Sequence, residues 1–211
     1  KSSTIFTKII LIMNELIQYY ESLFEVHGGE SGKSVQAAST KQQNQRFQIL
    51  FEMANDMNSV LDVGCGLGHM LKFMQSFNSY SGQINYHGVD FIPSFVDYCQ
   101  KNLSSDLANF QKLDLNNEVL PDTQDYCLLS GVFNNVMPNN DEFMKSTLKK
   151  MFNASNKGIA FNALSTYVDY QDKDLYYSNP VEIFDFCKTE LSNKVILRHE
   201  YQTKPNVIPF E

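Results

Sequence analysis

The 211 residues, 43% hydrophobic and 19% charged, suit one soluble domain with a sizeable core, and no apolar run approaches the roughly 20 residues that span a bilayer. A formal net charge of -7 argues against a nucleic-acid partner, because proteins that grip a phosphate backbone usually present a basic surface. The four cysteines, Cys65, Cys99, Cys127 and Cys187, are far apart and form no C-x-x-C pair. Neither a zinc site nor a disulfide framework is signalled, and free thiols in a reducing cytoplasm are expected.

Residues 4–26 place Ile5, Ile9, Ile12, Leu16, Tyr19 and Leu23 at helical spacing, and His27, Gly28 and Gly29 supply a stop. The apolar run at 9–13 is cut by Asn14 and Glu15 with no small-residue cleavage site after it, so it reads as a helix face and not a signal peptide. Residues 28–41 are small and polar, a lid candidate before a second helix over 42–55. From Ser59 onward short apolar runs alternate with helical stretches. Strands are expected at 59–63, 84–90, 109–115, 125–132, 157–164 and 194–201, and helices at 70–77, 91–103, 141–155 and 180–191. Pro93 and Pro180 fall in the first turns of two of these helices. Such alternation implies parallel βαβ units with right-handed crossovers, hence a doubly wound α/β sheet preceded by helices. Residues 1–56 are read as N-terminal helices plus lid, and 57–211 as the core of the same structural domain.

The first strand runs into "DVGCGLG", at the turn that lines the ligand crevice of open α/β sheets. Gly64, Gly66 and Gly68 let the backbone approach a ligand, and the helix that follows offers free N–H groups. A dinucleotide fingerprint reads G-x-G-x-x-G, whereas here the glycines alternate and His69 stands where the third belongs. Asp62, two residues before Gly64, suits a ligand ammonium and not a pyrophosphate. Asp90 ends the next strand, placed to accept from ribose hydroxyls, and Asp114 ends the one after it, placed to accept from a purine amine. Phe91 and Ile92 can pack a base. A helix N-cap explains any single Asp, but not three acids at successive strand ends beside a glycine turn.

"VLDVGCGLGHML", "YHGVDF", "LDL" and "DYCLLSGVF", over roughly 60–165, resemble the class I S-adenosylmethionine-dependent methyltransferases. The resemblance implies a Rossmann-like, doubly wound, mostly parallel seven-stranded sheet with an N-terminal helical cap. It implies that Asp62, Gly64, Cys65, Gly66 and Gly68 hold the methionine part of S-adenosylmethionine, Asp90 the ribose, Asp114 with Leu115 the adenine. Residues 130–132, Ser130 among them, then border the transferred methyl. The flanks, with "Q-x-x-R-F" at 43–47, "FNALSTYVDYQ" at 161–171 and "LYYSNP" at 175–180, are similar to a group of bacterial small-molecule methyltransferases linked to saccharide modification. Segment 33–39 and the tail from Tyr201 depart from that group's pattern.

Methyl transfer from a sulfonium requires alignment more than a metal or a covalent nucleophile. The guanidinium of Arg46 suits the methionine carboxylate. Tyr19 and Tyr20 are either core or a cover for the methyl. Asn134, Asn162 and Tyr167, after the fourth and fifth expected strands, are candidates for orienting a small-molecule acceptor. His27, His69 and His199 read as structural. The aromatic and acidic 161–177 segment reads as a substrate wall for a positively charged or sugar-like acceptor. RNA or protein methylation is the alternative, against which stand the acidic balance and the lack of an N-P-P-Y or D-P-P-Y tetrapeptide. A non-catalytic cofactor-binding scaffold and an NAD-dependent oxidoreductase are the remaining readings.

Overall fold

The computed structural model describes residues 2–54, 56–76, 84–121 and 123–200. Five strands, β1 (Ser59–Val63), β2 (Asn85–Asp90), β3 (Ala108–Lys112), β4 (Gln124–Ser130) and β5 (Ser155–Asn162), form one sheet in the order β3-β2-β1-β4-β5. Every neighbouring pair is parallel. Three helices supply crossovers: α3 (His69–Ser76) from β1 to β2, α4 (Pro93–Asn102) from β2 to β3, and α5 (Asn140–Asn153) from β4 to β5. Two helices precede the sheet, α1 (Ser2–His27) and α2 (Thr40–Met53), and α6 (Pro180–Phe186) follows it.

The period of two along the strands sorts side chains into two layers. Val60 and Leu128 pack with Phe47, Met70 and Val96 of α2, α3 and α4. Their neighbours Leu61, Cys127 and Leu129 pack with Met144 and Leu148 of α5 and Ile183 of α6. The sheet is therefore covered on both faces, as continuous apolar strands require. Local chemistry sets the helix starts. Ser39 accepts the Gln42 N–H at 3.2 Å to cap α2, and Asn179 accepts the Val181 N–H at 3.0 Å ahead of Pro180 in α6. All four cysteines are free and buried, and among the described residues no helix is long and apolar enough to cross a membrane.

The sequence-based expectations need several corrections. The sheet has five strands, not seven, among the described residues. Residues 194–200 form no strand; Tyr201, the last position expected in it, and the tail beyond lie outside the described residues. The β-type residues Ile196 and Leu197 are exposed there, and side chains anchor the segment instead of a ladder: Arg198 Nη1 donates to Glu52 Oε2 at 2.7 Å, and His199 Nε2 meets Ser165 Oγ at 2.8 Å. β3 stops at Lys112 because the Asp114 carboxylate accepts the Asn116 N–H at 2.9 Å and turns the chain. α4 starts at Pro93, not Phe91, since a residue before proline is held extended; Ile92 has φ -80° and ψ 112°. The last expected helix passes from α into a π turn at Cys187–Leu191.

Candidate functional site

β1 lies between β2 and β4, so the strand order reverses at β1 and a crevice opens beyond the carboxyl ends there. A cavity of about 790 Å³ occupies that position, within the roughly 300–1,000 Å³ of small-molecule sites. Its floor is the turn after β1, where Gly64 and Gly66 take φ of +76° and +54°. Its roof is α1, with Leu16, Tyr20 and Leu23 facing in, and the short 3-10 turn Gly32–Val35 with Gln36 behind it. The stripe on α1 that reads as a core face from sequence is thus in part a cavity face.

Gly64 illustrates how tightly the floor is built. Besides its left-handed backbone, an added Cβ would lie 2.1 Å from Cγ2 of Val132, a β-branched side chain with little χ1 freedom. Gly64→Ala is expected to lower the unfolding free energy by about 2–4 kcal/mol, from left-handed strain plus overpacking. Urea denaturation reads this directly; a midpoint unchanged at constant m-value would contradict it.

Three acids at or just past the ends of β1, β2 and β3 converge on the cavity. Asp62, 2% exposed, accepts a hydrogen bond from the Tyr86 hydroxyl. Burial pushes its carboxyl up to about 7, against the lowering effect of that bond. Asp90, 7% exposed, accepts the Gly66 N–H at 2.8 Å and the Ile92 N–H at 2.9 Å. Burial also holds it above the usual carboxylate range, opposed by backbone N–H groups of Ile92, Gly66 and Phe91. A carboxylate has about four acceptor sites, so Asp90 keeps capacity for a ligand. Asp114 sits in the turn after β3 and takes further bonds from the amides of Asn116 at 3.0 Å and Asn117 at 2.7 Å.

The lid is tied down at three points. The Tyr20 hydroxyl donates to Gln36 Oε1 at 2.8 Å, and Asn135 Nδ2 donates back to that hydroxyl at 3.1 Å. Gln36 Nε2 donates to the Tyr19 hydroxyl at 3.0 Å while its own backbone is left-handed, at φ 57°. Next to the glycine turn, His69 donates Nε2–H to the Gly29 carbonyl at 3.1 Å and receives Gln43 Nε2–H at Nδ1, 3.3 Å away. Burial lowers its pKa, in keeping with this neutral form, so His69 is a fastener between lid, α2 and α3. Farther out, Glu30 accepts from Lys72 at 2.6 Å and from Tyr98 at 2.8 Å.

Of the residues singled out from sequence, Arg46, Asp62, Gly64, Cys65, Gly66, Asp90, Phe91, Ile92, Asp114, Leu115, Ser130 and Asn134 line this one cavity. Three do not. Gly68 turns away, and a Cβ there would meet Leu103 Cδ1 at 2.4 Å, so it allows α4 to pack closely. Asn162 lies behind the wall: it accepts the Gly131 N–H at 3.1 Å and donates to Ser130 Oγ at 3.0 Å. Tyr167 is 60% exposed, its ring against His199. Sequence reasoning missed Gln36 and Asn135 as individual contacts. No spacing signals them, because they meet Tyr20 only through tertiary packing.

A family model described as a methyltransferase domain matches residues 61–158. The Mycobacterium tuberculosis protein Rv1506c, which carries a methyltransferase name, is 30% identical over 158 residues, covering 70% of this chain and 89% of that one. Among solved structures, the plantazolicin methyltransferase BpumL with S-adenosylhomocysteine (SAH) gives a TM-score of 0.57 at 16% identity, over 84% of this chain and 74% of that one. Magnesium protoporphyrin IX methyltransferase from Synechocystis PCC 6803 with bound SAH gives 0.53 at 15% identity, over 69% and 70%. Sequence kinship over most of the mycobacterial relative joins the glycine turn and the fold in one conclusion: the chain belongs to the class I S-adenosylmethionine-dependent methyltransferases.

Proposed function

We propose that the protein transfers the methyl group of S-adenosylmethionine to an oxygen or nitrogen atom of a small molecule. One observation carries this reading: Asp62, the 64–66 turn, Asp90 and Asp114 line a single cavity that continues past Ser130 to Asn134, Asn135 and the 172–175 segment. It thus offers a cofactor half and an acceptor half. The first half fits the cofactor chemically. Asp62 would hold the methionine ammonium and Arg46 the carboxylate, Asp90 would use its remaining acceptor sites for the ribose, and Asp114 with Leu115 would take the adenine between Phe91 and Ile92.

When bound, the cofactor supplies a methyl group activated by its own sulfonium charge. The protein's part is alignment and exclusion of water, which the lid and α1 serve by roofing the cavity. The Tyr20 hydroxyl, pushed up to about 12 by burial, stays protonated at neutral pH and acts as a hydrogen-bonding group, not a base. A small acceptor, such as a sugar or a sugar-linked amine, agrees with the enclosed cavity and the acidic net charge. By their names, two proteins of the same fold act on magnesium protoporphyrin IX and on plantazolicin.

Calorimetric titration with S-adenosylmethionine and with NAD, followed by transfer of labelled methyl to a library of sugars, amines and RNA, tests the proposal. Binding of S-adenosylmethionine alone and transfer to a small molecule are expected. Binding of NAD without response to S-adenosylmethionine would overturn it, and so would transfer confined to RNA.

A further inference from the structure

We propose that α1 from Met13 onward and the 3-10 turn Gly32–Val35 form one cap that lifts off the cavity to exchange the cofactor, with the Tyr20–Asn135 hydrogen bond as its latch; the identity of the ligand rests on the methyl-transfer reading of the same cavity. The cap holds together internally. Ser34, fully buried, donates Oγ–H to the Gly28 carbonyl at 2.6 Å, and the side chain of Gln36 bonds both Tyr19 and Tyr20. Its hold on the body is thin. Among the described residues, neither of the two large core clusters includes a side chain of α1 or of the turn. Ile17, Tyr20, Phe24 and Val35 pack instead on a small separate cluster, Leu67, Ile92 and Phe95, of which the last two line the cavity. Since α1 and the turn roof the cavity, a ligand on its floor is released by raising this roof.

The polar bonds from cap to body are unevenly placed, and the asymmetry defines a pivot and a latch. At the carboxyl end of α1, His69 bonds the Gly29 carbonyl, and Lys72 and Tyr98 bond the Glu30 carboxylate. Tyr98 also packs so closely that a Cβ on Gly29 would lie 2.2 Å from its ring. Gly28, between this anchor and the helix, is left-handed at φ +73° with open space where a Cβ would stand, so the backbone can turn there. Tyr20 lies about 12 Å up the helix from that pivot. Its hydroxyl donates to Gln36 Oε1 within the cap and receives Nδ2–H of Asn135, 3.1 Å away on the β4–α5 connection. Asn135 is itself held in place: its backbone bridges Leu175, and its carbonyl accepts Asn140 Nδ2–H at 2.8 Å. One bond thus ties the moving span of the cap to a fixed wall of the cavity. Farther along α1, Asn116 Nδ2 meets Met13 Sδ at 3.6 Å, and a thioether is a weak acceptor.

The test compares wild type, Tyr20→Phe, Asn135→Ala and the double variant by stopped-flow SAH binding and by hydrogen exchange. A latch that holds the cap shut in free and loaded protein slows entry and exit alike, whereas a ligand contact slows exit alone. Each single variant is expected to raise both rate constants about three- to tenfold, in keeping with the loss of one hydrogen bond, while Kd stays within about threefold of wild type. The double variant is expected to match Tyr20→Phe, where the hydroxyl is already gone. In the ligand-free protein, amides of residues 13–36 should lose protection together in Tyr20→Phe while those of β1 and β4 keep theirs. Faster exit with unchanged entry, rate effects that multiply in the double variant, or unaltered protection of the cap would overturn the inference while leaving the cofactor reading intact. Failure of wild type to bind SAH would instead overturn the methyl-transfer reading, and with it the assignment of the ligand that the cap admits.

Discussion

Asp90→Ala is expected to remove measurable S-adenosylmethionine binding and to lower the unfolding free energy by about 2–5 kcal/mol. The stability loss follows from geometry: truncation leaves the buried Ile92 N–H and the partly buried Gly66 N–H without their acceptor, and each such bond is worth about 1.5–3 kcal/mol, partly recovered by water. The binding loss follows from the proposed ribose contact together with the collapse of the turn that Asp90 fastens. Asp90→Asn separates the two effects. It keeps one acceptor oxygen and the side-chain volume, but turns a donor toward a backbone donor, so its stability should lie between alanine and wild type. Urea denaturation and calorimetric titration measure both quantities. Cofactor affinity within threefold of wild type in Asp90→Ala would show that Asp90 is a structural staple of the turn and nothing more.

The sequence makes the centre of this fold legible because periodicity and chemistry coincide there. β1 and β4 contain short apolar runs and β2 buries Tyr86, Gly88 and Val89; each ends in a turn or an acid, and they are the inner strands. The edges are less legible. "KVILRHEY" has strand composition, but in residues 194–200 the side chains of Arg198 and His199 bond to Glu52 and Ser165, and the backbone does not add to β5. Strand propensity describes a fit to a pleated, half-buried surface, and sequence does not reveal whether one is offered.

Within the site the same division holds. The place of Asp62 and Asp90 on the cavity lining is legible because strand ends in a parallel sheet point to one crevice. Asn162 and Tyr167 lie off the cavity lining, because being on the correct end of a strand does not specify facing the cavity. Asn162 is turned to Ser130 and Gly131 by two hydrogen bonds, and Tyr167 lies in the loop beyond β5, stacked edge-on against His199. Gly68 shows a third case, a motif glycine off the cavity lining whose missing Cβ leaves room for Leu103.

Asp62 supplies the other large effect, a pH dependence with opposite signs for folding and for binding. In the cofactor-free protein its carboxyl titrates at about 7, against 3.8 as the ordinary value. The folded state therefore holds a proton that the unfolded state has lost between those pH values, and stability from this group falls as pH rises through that window. Asp62→Asn removes the titration and keeps an oxygen for the Tyr86 hydroxyl. Relative to wild type, the variant should gain on the order of 4 kcal/mol of stability between pH 4 and pH 7, with no further change above. Binding runs the other way. With the methionine ammonium beside it, as proposed, Asp62 is held ionised, so below pH 7 each bound cofactor displaces one proton and affinity rises up to about tenfold per pH unit. The rise stops near pH 7 and reverses once the ligand's α-amino group, with a pKa of roughly 7.7–8.0, loses its own proton. Urea denaturation and calorimetry from pH 5 to 9 resolve both arms, and Asp62→Asn should bind weakly with no rise in affinity below pH 7. A wild-type affinity that is flat from pH 5 to 7 would place the ammonium away from Asp62 and assign this buried acid to the Tyr86 hydrogen bond alone.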